Sequence, residues 1–502
     1  MNQASFVFDA NRCTGCGACR LACTIENALA PDVSWRRIET FNARHHPIAP
    51  VFHLALACNH CADAACMNAC PALAYRRDAP TGAVLLDGDT CIGCGYCAWA
   101  CPYDAPVFDE STGVMTKCTW CADRLRGGLK PACATHCPTG ALDYAEVAPG
   151  GRVHAVEGLP ATALDPSLHV IPLKPGRTQP EMAELPAIRG PALQPAAQGF
   201  SPAGAALPAG AAPKGCATGD ETSAAPSVQI SLRHEWPLAV FTLAAAALVG
   251  VAAGAAAGHR EIHPWAFAIA GAAAMAFGSA HLGRKDRAWR AILNVRRSWL
   301  SREVATLSLF FAIATLWLWL APENRALGWT AVIIGFLGLF AADQLYGVLP
   351  AGPGHGYSAS VVWTGILMMT IASDERELAV IIGLVRLAMF ARQRWNSVTQ
   401  GRPLGPALAG ARAGLTLAAL ASLFVRGLPG GWVASFVLAL GGDAVDRCQY
   451  YMELERETPR RQMGLALARR IAKSGRGVRL QADRRLAARP GQRAGEASLH
   501  DL

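Results

Sequence analysis

Sixteen of the eighteen cysteines fall between Cys13 and Cys137, in four groups of four. The first group is Cys13, Cys16, Cys19 and Cys23, and the second is Cys58, Cys61, Cys66 and Cys70. The third is Cys91, Cys94, Cys97 and Cys101, and the fourth is Cys118, Cys121, Cys133 and Cys137. Groups one and three have the spacing C-x2-C-x2-C-x3-C. In such a run the first three thiolates hold one iron–sulfur cubane and the fourth cysteine serves a different cluster. Three thiolates so close in sequence can wrap one cube only if the backbone coils tightly, which Gly15, Gly17, Gly93 and Gly95 permit. Cys70, Cys101 and Cys137 precede proline, whereas Cys23 precedes Thr24. A crossing fourth ligand makes the groups pair, and sixteen ligands divide into four [4Fe–4S] clusters with none left over. Zinc would use two separated pairs of ligands per ion, which groups one and three do not offer. Group four, with eleven residues between Cys121 and Cys133, is ambiguous alone and gains its meaning from the count.

The flanks of these groups read as short strands: "SFVFD" before Cys13, "AVLLD" before Cys91, "GVMTK" before Cys118 and "ALDYAE" after Cys137. The expectation is an α+β, ferredoxin-like, duplicated four-cluster domain over residues 1–180. A Pro/Ala/Gly-rich linker follows at 181–234 and contains Cys216, read as a free thiol. At 502 residues the chain is too long for one hydrophobic core, and the overall 52% apolar and 17% charged content conceals a split. Long apolar segments begin only near Trp236: 236–257, 264–283, 302–320, 327–347, 358–373, 377–393, 406–425 and 430–446. They predict an all-α, eight-helix transmembrane bundle over residues 235–452, with seven spans if the marginal fifth segment is not one.

Seven Lys/Arg lie between Arg284 and Arg302, and Arg392, Arg394 and Arg402 lie between the sixth and seventh segments. By the positive-inside rule both termini and the cluster domain face the cytoplasm, in a multi-pass inner-membrane protein. The opening "MNQASFVFDANRC" shows no export signal, so the cluster domain is expected in the cytoplasm unless a partner carries it across. It also argues against a disulfide framework. Residues 453–502 are basic, with twelve Lys/Arg against five Asp/Glu over 454–502, and are expected to be a disordered tail without chemistry. No compact basic patch with interleaved aromatics points to nucleic acid.

With these motifs in view, residues 1 to about 180 resemble the iron–sulfur subunit of the dimethyl sulfoxide reductase family of molybdenum enzymes, most specifically in "CTWCADRLRGGLKPACATHCPTGAL". The membrane half is similar to that family's anchor subunit in "SAHLG", "RAWRAILNVRRSWLSREV" and "GGDAVDRCQYY". The resemblance implies a wire of four clusters with ligands Cys13, Cys16, Cys19 and Cys137; Cys118, Cys121, Cys133 and Cys23; Cys58, Cys61, Cys66 and Cys101; and Cys91, Cys94, Cys97 and Cys70. It also implies a separate molybdopterin catalytic subunit, for which this chain has no room, and menaquinol as the membrane electron donor.

Haem b needs facing histidine pairs. After Trp236 the chain has only His259, His263, His281, His355 and His500, so no haem is expected. Electrons must then pass directly between a quinone and the nearest cluster. His281 and Glu303, flanking the basic loop, are the candidate quinol-binding and proton-accepting residues. Interfacial capping for His281 and a helix-dipole partner for Glu303 are the bland alternatives. Asp343, Arg386, Arg412 and Asp443 also lie in cluster-side helix halves; Asp343 and Arg386 would form a self-neutralising pair. Ligand spacing does not set direction, and the reverse wire, from a cytoplasm-facing sulfite dehydrogenase to quinone, stands as the alternative. A transporter would show inverted repeats or paired broken helices, and neither is evident.

Overall fold

The computed structural model describes residues 3–147, 156–174, 232–346, 359–399, 406–425, 431–453, 456 and 458–473. The expected linker up to residue 231, including Cys216, lies outside them, as does the tail beyond Lys473. In chain order the cluster half contains β1 (Gln3–Asp9), α1 (Ala18–Glu26), β2 (Arg37–Phe41), β3 (Phe52–Leu56), α2 (Ala65–Ala69), β4 (Tyr75–Arg77) and β5 (Val84–Leu86). Then come α3 (Tyr96–Trp99), β6 (Val107–Asp109), β7 (Val114–Thr116), α4 (Ala122–Arg126), α5 (Ala132–Thr135), β8 (Leu142–Val147) and β9 (Leu168–Ile171).

All four segments read as strands form them. β1 is central in a three-stranded sheet, antiparallel to β8 and parallel to β9, with Phe6 opposite both Tyr144 and Leu168. The pairs β2–β3, β4–β5 and β6–β7 are antiparallel hairpins. Alternation along β1 sends Phe6 and Phe8 inward, where they join Phe41, Phe52, Leu54, Trp120, Leu142 and Val170 in one buried cluster. Regular elements stay short because the chain must keep turning to present cysteines.

The membrane half supplies a helix for each apolar segment: α6 (Leu232–Ala256), α7 (Pro264–Ala280), α8 (Trp299–Leu320), α9 (Arg325–Tyr346), α10 (Val361–Ala372), α11 (Arg376–Thr399), α12 (Pro406–Ser422) and α13 (Gly431–Glu453). The eight are not equal. Among the described residues three helices, α6, α8 and α9, are long and apolar enough to cross a membrane. A fourth arises if α7 and the 3₁₀ turn Lys285–Ile292, bent by 105°, are counted as one span. With twelve residues α10 is about 18 Å long, short of a hydrocarbon core of about 30 Å. Leu316, Ile333, Leu337, Phe340, Ile381, Leu417 and Val437 project outward and exposed, an apolar belt suited to lipid.

Residues 453–502 were expected to be disordered, and part of that stretch is helical: α14 (Pro459–Lys473). Thr458 Oγ1 accepts from the Arg461 amide and Pro459 opens the helix, a standard start signal. Met463, Ala466 and Leu467 then recur at helical spacing and pack on the cluster half, with Met463 against Gly158. Arg470 pairs with Glu157 at 2.6 Å. The basic composition hid this apolar stripe.

α6 crosses α10 closely because Gly250 and Gly254 carry no Cβ; one at Gly254 would lie 2.7 Å from the Ala372 carbonyl oxygen. Gly254→Leu is therefore expected to lower stability by about 1–3 kcal/mol, read as an earlier thermal transition in detergent. Gly464→Ala, where the added Cβ meets nothing within 4 Å, is the control and leaves that transition unchanged or slightly higher.

Candidate functional site

The structure gathers the sixteen cysteines into sets that each join members of one group to a member of another. Cys13 lies near Cys137 and Cys16, and Cys19 near Cys13 and Cys137. Cys23 lies near Cys133 and Cys121, and Cys118 near Cys23 and Cys133. Cys61 and Cys66 both neighbour Cys58 and Cys101, while Cys94 and Cys97 neighbour Cys70 and Cys91. The resulting sets also touch in sequence: Cys19 approaches Cys133, Cys118 approaches Cys58, and Cys66 approaches Cys97. They form a row, with the exposed Cys16 in the set at one end and the Cys91 set at the other.

Burial, together with the neighbouring cysteines, disfavours ionisation of several of these thiols. It pushes the Cys19 thiol up to about 11 and Cys23 up to about 12, with the Arg36 guanidinium pulling both back. Bound iron would replace the protons as countercharge. Among the described residues, no three His, Cys, Asp or Glu side chains close on a single ion, as thiolates about 2.3 Å from one zinc would. The unpartnered buried side-chain atoms near these cysteines include Arg36 Nε and Nη2, Asn59 Nδ2, His60 Nε2 and Trp120 Nε1. His60 Nδ1 accepts from the Val84 amide, so its proton is assigned to Nε2. All five are thus donors, each costing about 1–3 kcal/mol if left unmet. A sulfide-rich core supplies the acceptors they lack. Lys117 is also buried but donates to the Val84 and Cys118 carbonyls.

The Cys91 end of the row rests on the membrane half. The loop after α7 runs beside the cysteine loop, with Arg284 N donating to Ile92 O at 3.1 Å and Gly283 N to Gly93 O at 3.4 Å. Gly93 has φ +69°, and a Cβ there would collide with the Gly113 carbonyl oxygen, as would one on Gly283. Arg287 Nη1 donates to the carbonyls of Gly88 (2.7 Å) and Cys91 (3.2 Å). Asn294 Nδ2 donates to Cys70 O (2.9 Å) and Ser298 Oγ to Ala69 O (2.8 Å). The Tyr96 hydroxyl, between Cys94 and Cys97 in sequence, donates to Leu345 O at 3.3 Å. Burial and the nearby Glu303 carboxylate push its pKa up.

His281 ends α7 and Glu303 lies in the first turns of α8, so they flank this docking loop. Among the described residues no hydrogen bond or ion pair joins them. The His281 imidazole is buried beside the Gly278 backbone. Glu303 is 4% exposed and lies near Arg447 and Asp343. The expected Asp343–Arg386 pair does not form. Asp343 instead caps α10, accepting from Ser360 Oγ and from the Val361 and Val362 amides. Arg386 pairs with Asp443 at 2.6 Å, and Arg412 lies 3.4 Å from Asp443 and 3.5 Å from Asp446. This quartet joins α11, α12 and α13. Sequence reasoning passed over Arg447, whose guanidinium sits 4.6 Å from the Tyr346 ring centre and near Tyr450 and Tyr451. The signal was present: Asp443, Asp446 and Arg447 share one face of an otherwise apolar helix.

Residues 50–147 match the family of the 4Fe-4S dicluster domain, and residues 231–373 match the DMSO reductase anchor subunit (DmsC). Over 191 residues, 35% of this chain and 93% of the relative, the sequence is 39% identical to a chain of the anaerobic dimethyl sulfoxide reductase of Haemophilus influenzae. This protein belongs to the dimethyl sulfoxide reductase iron–sulfur subunit family. Within that family it is 44% identical to the corresponding chain in Escherichia coli over 155 residues, 29% of this chain and 74% of the relative. It is also 31% identical to a sulfite dehydrogenase subunit of Allochromatium vinosum over 220 residues, 38% of this chain and 92% of the relative. The two matched regions make it an iron–sulfur electron-transfer subunit joined to a membrane anchor.

Gly283→Val should detach the docking loop while leaving the iron content unchanged. Hydrogen exchange at the Gly283 and Arg284 amides, which donate across the interface, is expected to rise about tenfold or more.

Proposed function

We propose that this chain oxidises a membrane quinol at the anchor's cluster-facing rim and passes the electrons to a separate molybdopterin-bearing subunit that reduces an S- or N-oxide such as dimethyl sulfoxide. The observation that carries the reading is the position of Glu303: buried, beside Tyr96, which lies between two cysteines of the Cys91 set. Quinol becomes quinone by losing two electrons and two protons. Reduction of the oxide consumes two of each and yields the sulfide or amine and water.

Four [4Fe–4S] clusters would be held by Cys13, Cys16, Cys19 and Cys137; by Cys118, Cys121, Cys133 and Cys23; by Cys58, Cys61, Cys66 and Cys101; and by Cys91, Cys94, Cys97 and Cys70. When bound they supply one-electron carriers in a row. The buried His281 imidazole accepts one quinol proton; the Glu303 carboxylate takes the other, with Arg447 holding its charge in place. Cys16 is exposed, which favours its set as the exit toward the catalytic partner. The anchor crosses the inner membrane eight times with the cluster domain on the cytoplasmic face. The short helix α10 and the charged quartet are shielded from lipid by their neighbours.

The reverse direction, from a sulfite-oxidising partner into quinone, is favoured by one observation: the relative in Allochromatium vinosum is named as part of a sulfite dehydrogenase. Cluster potentials measured against the quinone couple separate the two directions.

His281→Ala and Glu303→Gln are each expected to slow cluster reduction by a quinol analogue about 10²-fold or more, while dithionite still reduces every cluster. Quinol-driven reduction at the normal rate in either variant removes that residue from the site. Anaerobically purified protein should contain about sixteen irons per chain; a value near eight would leave two clusters.

A further inference from the structure

Arg36, immediately before β2, is 2% exposed. Its Nη1 donates to the Ala55 carbonyl at 3.1 Å, and its guanidinium lies 4.7 Å from the centre of the Phe6 ring. Nε and Nη2 have no protein partner. Among the described residues no carboxylate forms an ion pair with it. A buried guanidinium cannot shed its proton, and a buried charge without a countercharge is strongly destabilising. The groups that supply negative charge around Arg36 are Cys133, Cys118, Cys19 and Cys23. These four belong to two different sets in the row, so the cation sits between them.

We infer that Arg36 sets the reduction potentials of the two clusters held by the Cys13 and Cys118 sets, its fixed charge favouring the reduced state of both. The inference rests on the four-cluster reading. Each cluster gains one negative charge when it accepts one electron. A cation fixed nearby in a low-dielectric interior stabilises that added charge and raises the potential. The two free N–H groups add hydrogen bonds to sulfur that strengthen on reduction. Lys117, whose ammonium is already engaged by two carbonyls, has less to give. Arg36 thereby draws electrons along the row, away from the quinone rim and toward the exposed Cys16 end. It is a positioning residue for charge and touches no substrate.

The experiment is a mediator-buffered redox titration of the full chain in detergent, followed by low-temperature EPR, on the native protein, Arg36→Gln and Arg36→Lys. Arg36→Gln keeps a donor for the Ala55 carbonyl and removes the charge. It should lower the midpoint potentials of two centres and leave the other two in place. Arg36→Lys should restore most of the shift. Four centres at native potentials in an iron-replete Arg36→Gln protein would overturn the role. If Arg36→Gln does not retain iron, Arg36→Met, which also removes the charge, takes its place: two lowered potentials support the role and four native potentials overturn it. Fewer than four centres, or iron well below sixteen, in the native protein would instead defeat the four-cluster reading.

Discussion

The cluster half is governed by the cost of gathering sixteen cysteines, most of them buried or half-buried, within one small domain. Buried thiols resist ionisation, and burial holds Cys101 as well as Cys19 up at about 11. The buried donors around them are equally unmet by protein. Thiolate charge and sulfide acceptors arriving together answer both deficits, which couples folding to metal loading. This explains why the elements are so short. β4 to β7 have three residues each, and the loops between them turn cysteines inward, while the Phe6–Phe41–Trp120 cluster and a second one around Tyr75, Val84, Ile92 and Met115 provide conventional packing.

The same constraint shapes the joint between halves. Gly93, Gly113 and Gly283 let two backbones meet where side chains would hold them apart. The anchor loop therefore lies against the cysteine loop itself, donating to the carbonyls of Ile92, Cys91, Cys70 and Ala69. α14 makes a second attachment through Met463 and Arg470, and Arg456 reaches Asp104 at 3.2 Å. The membrane half thus holds the cluster domain at two places, through the loop between α7 and α8 and through the segment after α13.

Within the membrane half, charge is divided between two neighbourhoods. Arg386, Arg412, Asp443 and Asp446 pair with one another and tie α11, α12 and α13 together beside their shared apolar contacts. Such a network favours one arrangement over many, since breaking any pair strands a charge. Glu303, Asp343 and Arg447 form the second neighbourhood, close to one another at the cluster-facing rim.

Local spacing was legible in the sequence: the cysteine runs, the strands beside them and a helix for every apolar segment each depend on residues a few positions apart. The start of α14 at Thr458-Pro459 was equally local and was masked by the surrounding arginines. What tertiary structure decided is contact at a distance. It chose Asp443 rather than Asp343 for Arg386, brought Arg447 beside Glu303, and enclosed Arg36 among four cysteines. In sequence an arginine ahead of a strand, like one on a helix, reads as solvent-facing. Only packing determines whether water remains beside it, and the loss of that water is what turns an ordinary charge into one that acts on its neighbours.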